Sequence, residues 1–156
     1  MSARAEVPFV FRALDPLRDA ALVHRWVTHP RAAACWLRPD AKLVEVERAC
    51  MRMAADEHHR PLLALRAGRP AFLMVTYDPA GVYEAEPGDL GMRLLPAPAL
   101  APVRGLLLGA ALARLFRDPA VRRVVTPELP GERSERTSLL TFCTREQFLG
   151  TAAAAV

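Results

Sequence analysis

The stretch "GDLGMRLLPAPALAPVRGLLLGAALARLF", residues 88–116, decides the fold. Its first part, "GDLGMRLLP" (88–96), reads as a strand. Its second, "LAPVRGLLLGAALARLF" (100–116), reads as a turn followed by an apolar, alanine-rich helix over about 103–117, stopped by Asp118-Pro119. In many coenzyme-binding folds such a junction holds a phosphate, because glycines let backbone N–H groups approach an anion at the positive end of a helix. Here Pro102 and Leu106 stand where glycines would be wanted, and Pro102 removes one N–H outright. Arg104 and Gly105 remain as contributors. A plain turn capping a core helix and a reduced phosphate site both stay open.

Outward from this junction the pattern is mixed. "VPFVFRAL" (7–14) alternates as an opening strand. Asp15-Pro16 then supplies a helix cap and a first-turn proline, and Leu22, Val23, Trp26 and Val27 recur at helical spacing to Thr28. A second helix is signalled by Asp40 as cap and by Leu43, Val46, Cys50 and Met53, closed by "DEHHRP", where His58 and His59 would suit the negative end of the helix dipole. "RPLLALRAG" and "RPAFLMVTYD" make a hairpin around Ala67-Gly68. After the third helix, "VRRVVTPE" and "TSLLTFCTRE" read as two late strands, and residues 150–156 as a frayed tail. The order β-α-α-β-β-β-α-β-β places the chain in the α+β or mixed α/β class, as one domain over residues 1–156.

Composition bounds the function. The 156 residues are 52% hydrophobic, with a net charge of +4 and mean hydropathy of +0.10, which suits a folded domain. No uninterrupted apolar run approaches the roughly 20 residues of a membrane span, and no targeting segment opens the chain, so a cytoplasmic location is expected. Basic residues are scattered among nearly as many acids, which gives no support to nucleic acid as a partner. Cys35, Cys50 and Cys143 lie far apart without a histidine at ligand spacing, so buried free thiols are expected and no metal site.

The element order resembles that of the GNAT superfamily of N-acetyltransferases. "FRALDPLRDAALVHRWVTHPRAAACW", "LVEVERACMRMAADEHHRPLLALRAGRPAF", "PGDLGMRLL" and "ALARLFRDPAVRRVV" together resemble its siderophore-type lysine and hydroxylysine N-acyltransferase branch over about residues 9–125. The resemblance implies a central, mostly antiparallel sheet flanked by helices. It also implies transfer of an acyl group from acyl-coenzyme A or an acyl carrier protein thioester to an amine or hydroxylamine of a small-molecule substrate.

It implies site residues as well. The pyrophosphate turn falls at 100–105, leaving Arg104 and Gly105 as its cofactor-binding residues. A histidine thought to act as base in the branch is replaced by Arg93, which cannot take a proton at neutral pH but can hold an anion or a polarised carbonyl. Tyr77 is retained on the third strand, able to donate to an oxyanion or thiolate; Asp78 follows it as a catalytic candidate or turn former. Trp36 matches a tryptophan near the acceptor pocket, Arg60 can reach an acidic acceptor, and Glu128 is the nearest acid to a family carboxylate. One late helix and strand look lost between "RVVTPE" and "TSLLTF". Alternatives to a true acyltransferase are a repurposed enzyme of natural-product assembly that no longer uses coenzyme A, of cyclase, dehydratase or isomerase type, and a non-catalytic partner with a sheet edge free to form a homodimer.

Overall fold

Strand β1 (Phe9–Ala13) turns Phe9 and Phe11 to one face of the sheet and Arg12 to the other. The Arg12 guanidinium donates to both carboxylate oxygens of buried Asp19, at 2.7 and 2.9 Å, and holds that carboxyl below its ordinary pKa. Asp15 accepts from the backbone N–H groups of Leu17 and Arg18 and caps helix α1 (Pro16–Thr28), with the boundaries read from the sequence. A computed structural model describes residues 7–32, 35–126 and 141–154. Helix α2 (Leu43–Ala55) begins later than its expected cap: Asp40 pairs with Arg38 in the preceding turn, while Glu45 accepts from the Lys42 N–H at 3.0 Å.

The histidines do not close α2, which stops at Ala55. His59 instead opens strand β2 (His59–Arg66), which turns through Ala67 and Gly68, at φ 50° and 75°, into strand β3 (Arg69–Tyr77). Two successive left-handed residues are what a tight hairpin turn demands. Strand β4 (Asp89–Pro96) leads through a 3-10 turn (Pro98–Val103) into helix α3 (Arg104–Leu115), followed by strand β5 (Arg123–Thr126). Residues 127–140, with Glu128 and the expected loss of a helix and strand, lie outside the described residues.

Strand β6 (Thr141–Thr144) is shorter than expected. Arg145 and Glu146 belong to helix α4 (Arg145–Ala154), so residues 150–154, expected to fray, are helical. The cause is a reciprocal cap: Thr144 Oγ1 accepts from the Gln147 N–H, and Gln147 accepts from the Thr144 N–H.

The strands form one six-stranded sheet in sequence order, antiparallel except for β4 beside β5. Alternation divides its side chains between two cores. Phe72, Met74, Met92 and Leu94 pack with Leu107, Ala111 and Leu112 of α3; Leu63, Leu73, Val75 and Leu95 pack with Val23, Trp26, Val46 and Cys50 of α1 and α2. By length and composition the 18 residues Pro98–Leu115, with mean hydropathy 1.3, are apolar enough to cross a membrane, although Arg104 and Arg114 interrupt the apolar run. Leu107, Leu108, Ala111, Leu112 and Leu115 are nevertheless buried against the sheet, the packing of a core helix. Of the three free cysteines, Cys50 is buried and Cys35 and Cys143 are half-buried. No group of potential metal ligands occurs among the described residues.

The parallel seam is short, pairing only Asp89, Leu90 and Gly91 with Arg123, Val124 and Val125. Its lower end is clamped. Asp89 accepts from Arg123 Nε and Nη2 at 2.8 and 2.7 Å, from the Tyr83 hydroxyl at 2.7 Å and from the Glu86 N–H at 3.0 Å. The Arg123 guanidinium lies 4.4 Å from the Phe142 ring centroid, which ties in β6. Principally through Arg123, the Asp89 carboxyl is held down at about 2. A carboxyl more acidic in the folded chain stabilises it above the unfolded pKa and loses that contribution as pH falls. The fold is therefore expected to weaken between about pH 4 and pH 2. Asp89→Asn, which leaves half-buried Arg123 with only the exposed Glu86 carboxylate at 3.6 Å, is expected to cost about 3 kcal/mol at pH 7 in urea denaturation and to flatten that acid limb.

Candidate active site

Register sets the site. On the face toward α1 and α2, three rows cross the sheet: Leu63, Leu73 and Leu95; then Pro61, Val75 and Arg93; then His59, Tyr77, Gly91 and Val125. The last row is also the last rung at which β4 and β5 pair. Beyond it no described rung joins β4 to β5, and Arg93 lies on β4 one row further along the same face.

Tyr77 organises this region. A β carbon at Gly91 would overlap Cε2 and Cζ of its ring, so the ring lies across a position that only glycine can leave empty. The Arg93 guanidinium sits over the ring, 5.1 Å from its centroid, and the His59 imidazole stacks at 6.1 Å. Tyr77 is only 6% exposed, yet no described group hydrogen-bonds its hydroxyl. No buried side-chain oxygen or nitrogen lacks a partner among the described residues, so that hydroxyl is one that solvent reaches. His59 Nδ1 lies 2.8 Å from Asp56 Oδ2, which fixes the ring and leaves Nε2 outward.

A groove of about 580 Å³ runs along the end of the sheet, lined among others by His59, Arg60, Tyr77, Asp78 and Asp89. The structure thus brings Tyr77, Asp78 and Arg60 to one groove and Arg93 onto Tyr77. Their roles differ. Asp78 is exposed and accepts from the Ala80 N–H at 3.0 Å, shaping the turn after β3. Arg60 is exposed and pairs with Thr76, which puts it on the opposite face of the sheet from Arg93. His59 is the group that sequence reasoning misplaced; the spacing Asp56-x-x-His59 after a helix end was its only signal.

Trp36 and Arg104 lie toward the other end of β4. Trp36 is half-buried, packed beside the α1–α2 core in the loop after α1. Arg104 opens α3, and the electrostatic influence of its guanidinium on the Cys35 thiol brings that loop and the 3-10 turn to one rim. Helix α3 begins without a side-chain cap and without an acid in its first turn. A β carbon at Gly105 would meet nothing within 4 Å, while the Arg104 N–H is used by Ala101.

Residues 15–137 match the sequence profile of the Acetyltransferase (GNAT) domain family. The chain belongs to the GNAT acetyltransferase family. It is 29% identical over 154 residues to lysine N-acyltransferase MbtK of Mycobacterium sp. (strain MCS), covering 92% of this chain and 61% of that one. The chain thus spans about three-fifths of that relative's length. An uncharacterized protein of Bacillus halodurans superposes with a TM-score of 0.72 at 20% identity, over 93% of this chain and 88% of that one. Aminoglycoside acetyltransferase AAC(6')-Ib, solved with coenzyme A, superposes at 0.69 and 19% identity, over 92% and 99%.

The GNAT fold implies a coenzyme A thioester as donor, and the rim fits one end of it. An uncapped helix N-terminus, Arg104 and open space at Gly105 suit a pyrophosphate. In this GNAT chain, Gly91→Ala is expected to force the Tyr77 ring off β4 and to cost about 1–3 kcal/mol in chemical denaturation. Gly105→Ala, in open space in the first turn of α3, is expected to change stability by less than about 1 kcal/mol.

Proposed function

We propose that the chain transfers an acyl group from a thioester of coenzyme A, or of a carrier protein, to an amine or hydroxylamine of a small molecule in siderophore or related secondary-metabolite biosynthesis. Membership of the GNAT family supports the acyl transfer, and the likeness to a lysine N-acyltransferase supports the branch. The observation that carries the reading is the solvent-reached Tyr77 hydroxyl at the end groove, its ring seated across Gly91, beside the edge of β4 that no described strand pairs beyond Gly91 on the β5 side.

The thioester would lie along that edge, its phosphates toward Arg104 and Gly105, and would supply an activated acyl carbon. The acceptor would enter by the groove. Attack by the nitrogen forms the C–N bond, collapse breaks the C–S bond, and one proton must leave the nitrogen while one reaches the sulfur. Arg93 remains protonated and supplies a fixed positive charge. His59 can take the proton at Nε2, because Asp56 accepts from Nδ1 and holds that tautomer. Tyr77 can donate from its hydroxyl to the oxyanion or the thiolate. Asp78 holds the groove's rim.

Tyr77→Phe is expected to lower kcat about 100-fold with little change in KM. His59→Gln is expected to lower it by a similar factor. Rates within twofold of the parent in both variants would reject the assignment. Millimolar acetyl-coenzyme A is expected to raise Tm, and Arg104→Ala to reduce that rise. Turnover of an acyl carrier protein thioester without any such rise would assign the donor to the carrier.

A further inference from the structure

Strand β1 forms one edge of the sheet. It pairs with β2 over all five of its residues, and no described strand lies on its other side. The Leu14 N–H reaches the Pro61 carbonyl, so by alternation the backbone N–H and C=O groups of Phe9 and Phe11 point away from β2, to the open side. Natural sheets often blunt such an edge with a proline or a bulge. Neither interrupts Phe9–Ala13: the pairing with β2 runs without a register shift, and no proline stands among the five residues.

Beside this edge a groove of about 460 Å³ lies between β1 and α3. Its lining is apolar at Phe9, Phe11, Ala110 and Ala113, and cationic at Arg114 and Arg117. The Arg114 guanidinium lies 5.8 Å from the Phe11 ring centroid. Arg66, opposite Phe9 on β2, lies 5.4 Å from the Phe9 ring centroid and adds a third cation. No acid lines the groove and α3 contains none; Asp118, next along the chain, accepts from the Ala120 N–H. No single arginine makes the case. Three of them flank one open strand edge that also presents an apolar surface.

We propose that this edge receives an extended acidic segment of a partner protein, which adds to β1 as a further strand and sets carboxylates against Arg66, Arg114 and Arg117. Backbone hydrogen bonds at Phe9 and Phe11 hold the strand, and the arginines select its charge. Two other occupants fit less well. A second copy paired antiparallel through β1 would bring its own α3 to the same face of the joined sheet, so like charges would meet across the groove. A single-stranded nucleic acid answers the charge but has no row of N–H and C=O groups to match the strand. Phe9 and Phe11 also turn to Arg66, Arg114 and Phe72 in place of presenting open stacking faces. The groove lies on the α3 layer, opposite the face that carries Tyr77, so the proposal goes beyond the acyl-transfer reading and does not depend on it.

The probe is a short labelled peptide alternating Glu and Val, titrated with the full chain at low salt and followed by fluorescence anisotropy. It is expected to bind about tenfold or more tightly than the same peptide with Gln for Glu. Methylating one alternate set of its amide nitrogens is expected to weaken it by a similar factor and methylating the other set to leave it unchanged, because only one set faces β1. Arg114→Gln with Arg117→Gln is expected to bring the Glu-to-Gln ratio below about threefold, and Arg114→Glu with Arg117→Glu to turn the preference to a Lys–Val peptide. Failure of the Glu peptide to bind, equal binding of the Glu and Gln peptides, or equal effects of the two methylated sets overturns the inference. These comparisons use the unaltered chain, so they decide even where a variant fails to fold. A Glu preference that survives the paired Gln substitutions also overturns it, as does tighter binding of an oligothymidylate than of the peptide. A dimer in sedimentation that the Glu peptide cannot dissociate would assign the edge to a second copy and overturn it too.

Discussion

The Asp89–Arg123 ion pair holds the one parallel seam of the sheet at its lower end, and the geometry of the site depends on it. Parallel pairing is slightly weaker per residue than antiparallel, and three rungs of it would not by themselves hold register. A carboxylate with four hydrogen bonds, one of them from the backbone of its own turn, fixes β4 to β5 at the first rung of the seam. Above Gly91 no described rung joins them. Arg123 also lies over Phe142, and Phe142 meets Tyr83 edge-on, so β6 and the loop before β4 are tied to the same point.

Given that anchor, the period of two does the rest. Successive residues of β4 face opposite layers, so Met92 and Leu94 pack beneath α3 while Gly91, Arg93 and Leu95 look toward α1 and α2. A glycine opposite Tyr77 is a hole in the pleat, and the aromatic ring fills it, restoring the burial the glycine cannot give. That seat has a second effect. It draws the ring toward the seam and sets its hydroxyl at the end groove, with His59 stacked behind and Arg93 above. Packing and chemistry are thus satisfied by one side chain, which is why a strand tyrosine with a free hydroxyl coexists with 94% burial.

Much of the fold was legible because local chemistry and tertiary packing agree. Asp15-Pro16 caps α1, Ala67-Gly68 turns the hairpin, and the leucines of α3 face the sheet as their spacing implies. The misreadings have local causes. Asp40 looked like a cap, but Glu45 reached back to Lys42 and began the helix two residues later. Thr144-Arg145-Glu146-Gln147 carries a capping box, hidden because the threonine, phenylalanine and cysteine before it made a strand pattern that seemed to run on. For the site, Tyr77, Arg93 and Arg104 could be proposed from position along the chain, whereas the pairing of His59 with Asp56 and the Tyr77–Gly91 overlap are facts of register. Sequence gives residue types along a strand; it does not give what lies opposite.

The exchange of a histidine-like position for Arg93 redistributes labour across the face without emptying it. A histidine there would serve as both hydrogen-bond partner and proton acceptor, with its charge varying near neutral pH. Arginine holds its charge across that range, so the role of proton acceptor must pass to a group with a titratable lone pair. His59 is the described group on this face that meets the condition, and its aspartate partner supplies the tautomer. The cost is distance, since His59 stands on β2 and Arg93 on β4, with β3 between them.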